Sequence, residues 1–231
     1  MSAQQIEGTD QDPLTAARHA VLLGDSIFDN AAYVPGGPDV IRQVQKLLPS
    51  GDQATLLAVD GHVIADVENQ LLRLPSDATD LIVSVGGNDA LGHAPLLRRK
   101  VNSVGEAVSI LGTAQREFAA QYESMLNHVI RLGLPTAVCT IYDTPASEPD
   151  QPLIKTALAI FNDIITRASF KRGIPLIDLR LVVNESDDYA NPIEPSVKGG
   201  QKIAQAIAHL LSGKQLATCS VVFSRPFQFA N

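Results

Sequence analysis

Five short runs of almost unbroken Val, Ile, Leu and Ala constrain the fold of this chain more than any other feature. They are HAVLLG (19–24), ATLLAV (54–59), LIVSVG (81–86), TAVCTIY (136–142) and IPLIDL (174–179). Such continuity fits strands covered on both faces, because a strand with one wet face would alternate apolar and polar residues. Between the runs lie segments with helical spacing. DVIRQVQKLLP follows the first run and stops at Pro49, and Val63, Val67 and Leu71 repeat at i, i+4 and i+8. Phe118, Tyr122, Met125, Leu126 and Val129 mark one longer helix face, and Ile154, Ala157, Leu158, Phe161 and Ile165 mark another. Ile203, Ile207, Leu210 and Leu211 mark the last. Strand alternating with helix implies a parallel sheet with right-handed crossovers, in three αβα layers.

The 231 residues carry no Pro/Gly/Ser-rich linker and no internal repeat. One domain over 19–212 is expected, with an N-terminal extension (1–18) and a C-terminal tail (213–231). In the tail, CSVVFS offers an edge strand. Phe223, Phe227 and Phe229 would pack either on the body or on a second subunit, so a homodimer stays open. A hydrophobic content of 45% reads as globular. The net charge of −7 argues against nucleic acid as a partner, and Arg98-Arg99-Lys100 reads as a solvated face. The opening MSAQQIEGTDQDP lacks the basic and apolar regions of a signal peptide, and no apolar run approaches the ~18 residues of a membrane span. A cytoplasmic protein that does not insert into membranes is expected. Cys139 and Cys219 lie too far apart to suggest a disulfide framework or metal site, and Cys139 reads as a small buried hydrophobe. No cofactor or metal is expected.

In open parallel sheets, ligands bind beyond the carboxyl ends of the strands, where loops converge. Gly24-Asp25-Ser26 follows the first run, Asp60-Gly61-His62 the second and Gly86-Gly87-Asn88-Asp89 the third. Tyr142-Asp143-Thr144 ends the fourth, and the fifth leads into LVVNESDDYANPIEPSVKGG. Singly, each is an ordinary turn. Together, a serine, a glycine and a Gly-x-Asn-Asp after strands one, two and three resemble the GDSL/SGNH hydrolases, a family of esterases and lipases. The resemblance runs from about Val21 to Leu211. It implies a flavodoxin-like sheet of order 2-1-3-4-5, with Ser26 attacking an ester carbonyl. It also implies an oxyanion hole made by the Ser26 and Gly61 N–H groups and the Asn88 side chain. These are neutral donors of the kind that stabilise a tetrahedral intermediate.

The family's last block, Asp-x-x-His before a helix, matches NPIEPSVKGGQKIA in the register set by Pro195, Gly199, Ile203 and Ala204. Asn191 then stands at the Asp position and Glu194 at the His position. Starting instead from Asp188 yields no histidine either. Glu194 itself is the base that this register favours, its pKa raised by burial or by a neighbouring carboxylate; Asp187 and Asp188 lie close enough in sequence to supply one, although a solvated acidic loop is the preferred reading of that pair. A histidine recruited from elsewhere is the second reading. His62 and His93 lie on the correct rim, His19 lies at the wrong edge of the sheet, and His128 and His209 lie within helices. A degenerate, non-catalytic binding protein is the third. Asp25 is expected to shape the serine turn. A metal-dependent hydrolase built on Asp25, Asp29, Asp89 and Asp143 lacks histidine ligand spacing. The expected activity is that of a serine esterase cleaving a small or medium acyl or acetyl ester of a small-molecule substrate.

Overall fold

The computed structural model describes residues 17–213 and 221–222. In chain order the elements are β1 (His19–Gly24), α1 (Val40–Leu47), β2 (Gln53–Leu56), α2 (Val67–Leu71), β3 (Asp80–Ser84), α3 (Gly87–Gly92), α4 (Val104–Ile130), β4 (Thr136–Cys139), α5 (Gln151–Arg172), β5 (Leu176–Ile177), α6 (Leu179–Val182), β6 (Tyr189–Asn191), β7 (Glu194–Pro195), α7 (Val197–Ser212) and β8 (Val221–Val222). Strands β1 to β5 pair in parallel in the order 2-1-3-4-5, as the apolar runs and the family resemblance imply. Val221–Val222, within the CSVVFS stretch, adds an antiparallel edge to β5. Cys219, Phe223, Phe227 and Phe229 lie outside the described residues.

The continuous apolar runs have a direct cause in the layering. Val21, Leu23, Leu81 and Val83 face α4 and α5, packing with Phe118, Leu126 and Ile165. Their neighbours Ala20, Leu22 and Ile82 face α1 and α7, packing with Val40, Val44, Ile203 and Ile207. With a helix layer on each side, both residue parities of a strand must be apolar. Cys139 is buried and free, as a small hydrophobe would be.

Several elements are shorter than their sequence patterns suggest. The ATLLAV run leaves the sheet early, because the Leu57 and Ala58 N–H groups both donate to Leu22 O at 2.9 Å. Strand β5 stops after two residues, because Asp178 caps the next helix by accepting from Arg180 N–H. The Val63–Leu71 periodicity resolves into a 3-10 turn (Ile64–Asp66) followed by the short α2, and the Asp66 carboxylate accepts from Val63 N–H at 3.0 Å. Helix α1 follows its pattern: Asp39 caps it, and it ends before Pro49.

Helices α4 and α5 run side by side in the same direction. Gln115 Nε2 donates to Ile160 O at 3.1 Å, and farther along Arg172 donates to Asn127 Oδ1 at 2.7 Å. Both N-termini therefore lie at the carboxyl edge of the sheet, flanking the strand ends.

Gly24 closes β1 with a φ of +129°, and a Cβ there would lie 1.7 Å from Ser84 O on β3. This approach lets Asp25 N–H donate to the same carbonyl at 3.1 Å, bending the chain into the turn that carries Ser26. Gly24→Ala should therefore destabilise the protein by about 3 kcal/mol or more, through strain plus overpacking. Urea unfolding with an unchanged m-value would measure it, and a loss below about 1 kcal/mol would contradict the packing described.

Candidate active site

The turn after β1 is built by Asp25. Its carboxylate accepts from Ile27 N–H at 3.2 Å, and its carbonyl accepts from the Phe28 and Asp29 N–H groups, each at 3.2 Å. This is the turn-shaping role expected of it. The geometry leaves the Ser26 N–H without a hydrogen-bond partner among the described residues. The Ser26 side chain stands beside the carboxylate of Glu194, from the other end of the sequence, near enough to favour its charged form, and both line one cavity.

Glu194 is held on a small hairpin, β6–β7, that is fastened from several directions. Asn191 Oδ1 accepts from the N–H groups of Ile193 (2.9 Å) and Glu194 (3.0 Å). An asparagine at the family's Asp position thus shapes the turn that presents the glutamate. The Tyr142 hydroxyl donates to Ile193 O at 2.8 Å. Ser196 N–H donates to Asp188 O at 2.8 Å. Gly199 lets α7 approach that same carbonyl, which a Cβ at 199 would meet at 2.1 Å. Finally the fully buried Asn30 donates from Nδ2 to Pro195 O (3.1 Å) and accepts from Val40 N–H (2.9 Å).

Glu194 is 3% exposed, and its Oε2 has no hydrogen-bond partner. Burial pushes its carboxyl up to about 7; the negative charge of Asp60 adds to the shift, and the Ser26 side chain opposes it. Asp187 and Asp188, which the sequence offered as one source of the shift, are not the neighbours that raise it. Asp187 pairs with Lys198 at 2.8 Å and Asp188 with Lys202 at 2.7 Å, so their charges are spent locally. Asp25 is also buried. Desolvation, reinforced by the charges of Glu194 and Asp89, pushes it up to about 8.

The other sequence-predicted residues gather on the same rim. Asn88, at the start of α3, donates from Nδ2 to His62 O at 2.8 Å, which ties the loop after β2 to the loop after β3. In the loop after β2 the Gly61 N–H has no partner among the described residues, while its neighbours Asp60 and His62 donate to Asp29 Oδ2 (3.0 Å) and Val59 O (3.1 Å). Gly61 sits on the exposed shoulder of the site, outside the lining of the cavity that Asn88 borders.

That cavity, ≈ 230 Å³, opens between the strand ends and helices α3 to α5. Asp25, Ser26, Asn88 and Glu194 line its polar end, and Leu97, Leu111, Ile154, Leu158 and Phe161 supply much of its apolar wall. Among the described residues, no Lys or Arg lines it. His93 also lines it, with its ring stacked on Phe161 at 5.7 Å between centroids. His62 is turned to the other side, where its Nδ1 accepts from Gln70 Nε2 at 2.9 Å. His19 bonds Thr55 at the opposite strand end, and His128 pairs with Glu68 on the helix surface.

Gln70 and Asn30 were not singled out from the sequence. The Gln70 amide pins both the N–H (2.8 Å) and the C=O (2.7 Å) of Gly24, and so fixes the start of the Ser26 turn. The available signal was a polar residue between Val67 and Leu71 on an otherwise apolar helix face. Asn30 carried no comparable signal, because its partners lie in distant parts of the chain. The acids proposed for a metal do not converge: Asp29 accepts from Asp60 N–H, Asp89 from Ile64 N–H, and Asp143 pairs with Lys155. Among the described residues, the acidic side chains that do cluster are Glu185, Asp187 and Asp188, and Lys198 and Lys202 neutralise them.

A sheet of this order, with a serine after its first strand and an Asn-Asp pair after its third, defines a lipase/acylhydrolase-type α/β fold. The GDSL-like lipase/acylhydrolase family matches residues 22–202, and the chain belongs to that family. No curated protein matches it in sequence. Among solved structures it is similar to an extracellular lipase from Streptomyces rimosus, with a TM-score of 0.59, 16% identity, and 83% of this chain and 100% of that one covered. It is similar also to a phospholipase A1 from Streptomyces albidoflavus NA297, with a TM-score of 0.59, 20% identity and coverage of 87% and 100%. An acetyl xylan esterase from Geobacillus stearothermophilus matches with a TM-score of 0.59, 14% identity and coverage of 87% and 97%. Among the described residues no helix is long and apolar enough to cross a membrane.

The two raised carboxyls make stability depend on pH with a definite sign. In the folded chain Asp25 and Glu194 keep protons to about 8 and about 7, whereas their ordinary values are 3.8 and 4.5. Between roughly pH 4 and pH 8 the folded state thus binds more protons than the unfolded one, and stability falls as pH rises, by about 1.4 kcal/mol per pH unit for each proton so held. Asp25→Asn should flatten that decline and raise the melting temperature relative to the parent at pH 8 more than at pH 4. A shift equal at both pH values would show that Asp25 ionises normally.

Proposed function

We propose that this chain is a serine ester hydrolase in which Glu194 takes the place of a histidine base. The observation that carries the reading is the Ser26 side chain set beside a buried carboxylate, on one cavity, that burial pushes up to about 7. Ser26 is the nucleophile. Its proton passes to Glu194 as Oγ attacks the ester carbonyl, and the oxyanion is received by the free N–H groups of Ser26 and Gly61 and by the Asn88 amide. Glu194, now neutral, returns the proton to the departing alcohol. A water then repeats the sequence to release the acid from the acyl-enzyme.

The charge balance favours a carboxylate base in this pocket. One negative charge moves from Glu194 to the oxyanion, so the cavity never holds two uncompensated charges. A pKa near 7 also matches the base to neutral pH, where a carboxyl of ordinary pKa would be a far weaker proton acceptor. Asp25, neutral below about pH 8, adds no second charge. The apolar wall and the absence of Lys and Arg favour an uncharged medium-length acyl ester over a charged one. The lipase and phospholipase neighbours agree with an acyl ester, and the acetyl xylan esterase with a short one.

Para-nitrophenyl acetate and octanoate test this reading. Ser26→Ala should lower kcat/KM by at least about 10³-fold, and Glu194→Gln by at least about 10²-fold. The parent should gain about tenfold per pH unit below pH 7 and level off above it. Full activity in Glu194→Gln alongside an inactive Ser26→Ala would transfer the base to His93, the histidine of the cavity. If a fluorophosphonate fails to label Ser26 at all, the chain is a binding protein rather than an esterase.

A further inference from the structure

The apolar lining of the cavity does not stop at its mouth. On α4, Val104, Val108 and Leu111 lie at i, i+4 and i+7, on one helix face. Leu111 lines the cavity, whereas Val108 and Val104 carry the stripe outward at 62% and 81% exposed. The same happens on α5, where Ile154 lines the cavity and its neighbour Leu153 is exposed. The parallel pairing of the two helices sets their first turns side by side at this edge. Leu91 is at once a lining residue and exposed, and Val101, just before α4 in sequence, is exposed too.

Next to them in sequence stand Arg98, Arg99 and Lys100, all exposed, whose side chains have no ion pair or hydrogen-bond partner among the described residues. Elsewhere most of the cations are paired: Lys155, Arg167, Arg172, Arg180, Lys198 and Lys202 each have an acidic partner. The acid nearest the cluster in sequence, Glu106, is occupied by Asn102, from which it accepts two hydrogen bonds at 2.8 and 3.1 Å. Three unpaired cations next to exposed aliphatic side chains are unexpected on a chain of net charge −7. A solvated face accounts for the charges but not for the apolar residues, since contiguous exposed apolar surface rimmed by charge marks an interaction site.

We propose that residues 91–108 and the first turn of α5 form a docking face for an anionic lipid surface, set around the mouth of the cavity. The aliphatic residues would enter the headgroup boundary while the three cations face anionic headgroups. The contact is peripheral and consistent with the absence of a spanning helix among the described residues. It does not depend on the esterase reading, because docking precedes any turnover.

The test uses the full chain carrying Ser26→Ala, so that lipid is not consumed. Sedimentation with phosphatidylglycerol/phosphatidylcholine vesicles is compared with sedimentation with pure phosphatidylcholine. Sedimentation suits the chain, since it contains no Trp to report insertion by fluorescence. Binding to the anionic vesicles is expected to fall as NaCl rises past the range where the Debye length is about 10 Å. The triple variant R98E/R99E/K100E and the double variant V104D/V108D should each lose at least about tenfold in affinity. Both variants, made also in the Ser26 parent, should keep its melting temperature and its hydrolysis of a soluble acetyl ester. The proposal fails if the Ser26→Ala chain does not sediment with anionic vesicles, or binds pure phosphatidylcholine equally well. It fails too if either variant binds like its parent. A lipid-free dimer that V104D/V108D converts to monomer would assign the face to a second copy of the chain instead.

Discussion

One buried amide holds the two halves of the site together. Asn30, fully excluded from water, donates to Pro195 O and accepts from Val40 N–H. Its three neighbours in this network are the turn after β1, the start of α1 and the hairpin that carries Glu194. Ser26 lies four residues before Asn30 and Glu194 one residue before Pro195, so the relative placement of hydroxyl and carboxylate follows from this bridge. Gln70 does the corresponding work on the other flank by pinning both backbone groups of Gly24. In a low-dielectric interior such fully satisfied polar bridges are rigid, because breaking one leaves a buried group unpaired.

That rigidity bears on the electrostatics. A carboxylate buried without a cation is unfavourable, and the molecule tolerates it by keeping Glu194 near its titration point and Asp25 protonated. The lysines that would quench such charges are engaged elsewhere, Lys198 and Lys202 with the acids of the preceding loop. The loop acids and the cavity acids thus occupy separate electrostatic environments within a few residues of each other. Among the described residues, both Glu194 Oε2 and Asp188 Oδ1 are buried without a hydrogen-bond partner, but Asp188 carries a lysine on its other oxygen and Glu194 has no cation beside it.

The apolar runs made the sheet legible, because a strand covered on both faces has no other way to look. Pro49 and Asp39 made α1 legible for equally local reasons. The lengths of β2 and β5 were not readable, because they end where Leu22 O and the Asp178 cap compete with strand pairing. The order of polar residues at successive strand ends was enough to gather Ser26 and Asn88 on one rim, and the resemblance to the family's last block added Glu194. Which acid influences Glu194 was not legible: sequence proximity offered Asp187 and Asp188 without deciding for them, while the shift comes from burial and from Asp60, far away in the chain.

The sequence by itself determined the layered parallel fold and the residues at each strand end, because periodicity and turn chemistry are local properties of the chain. Only the tertiary structure decided which partner stands beside Ser26, how far that partner's proton affinity is raised, and where the cavity wall emerges at the surface. Those outcomes depend on burial and on contacts between segments more than a hundred residues apart, such as Asn30 with Pro195. Beyond the register with the family's last block, which favoured Glu194 over a recruited histidine, local pattern carries no information about them.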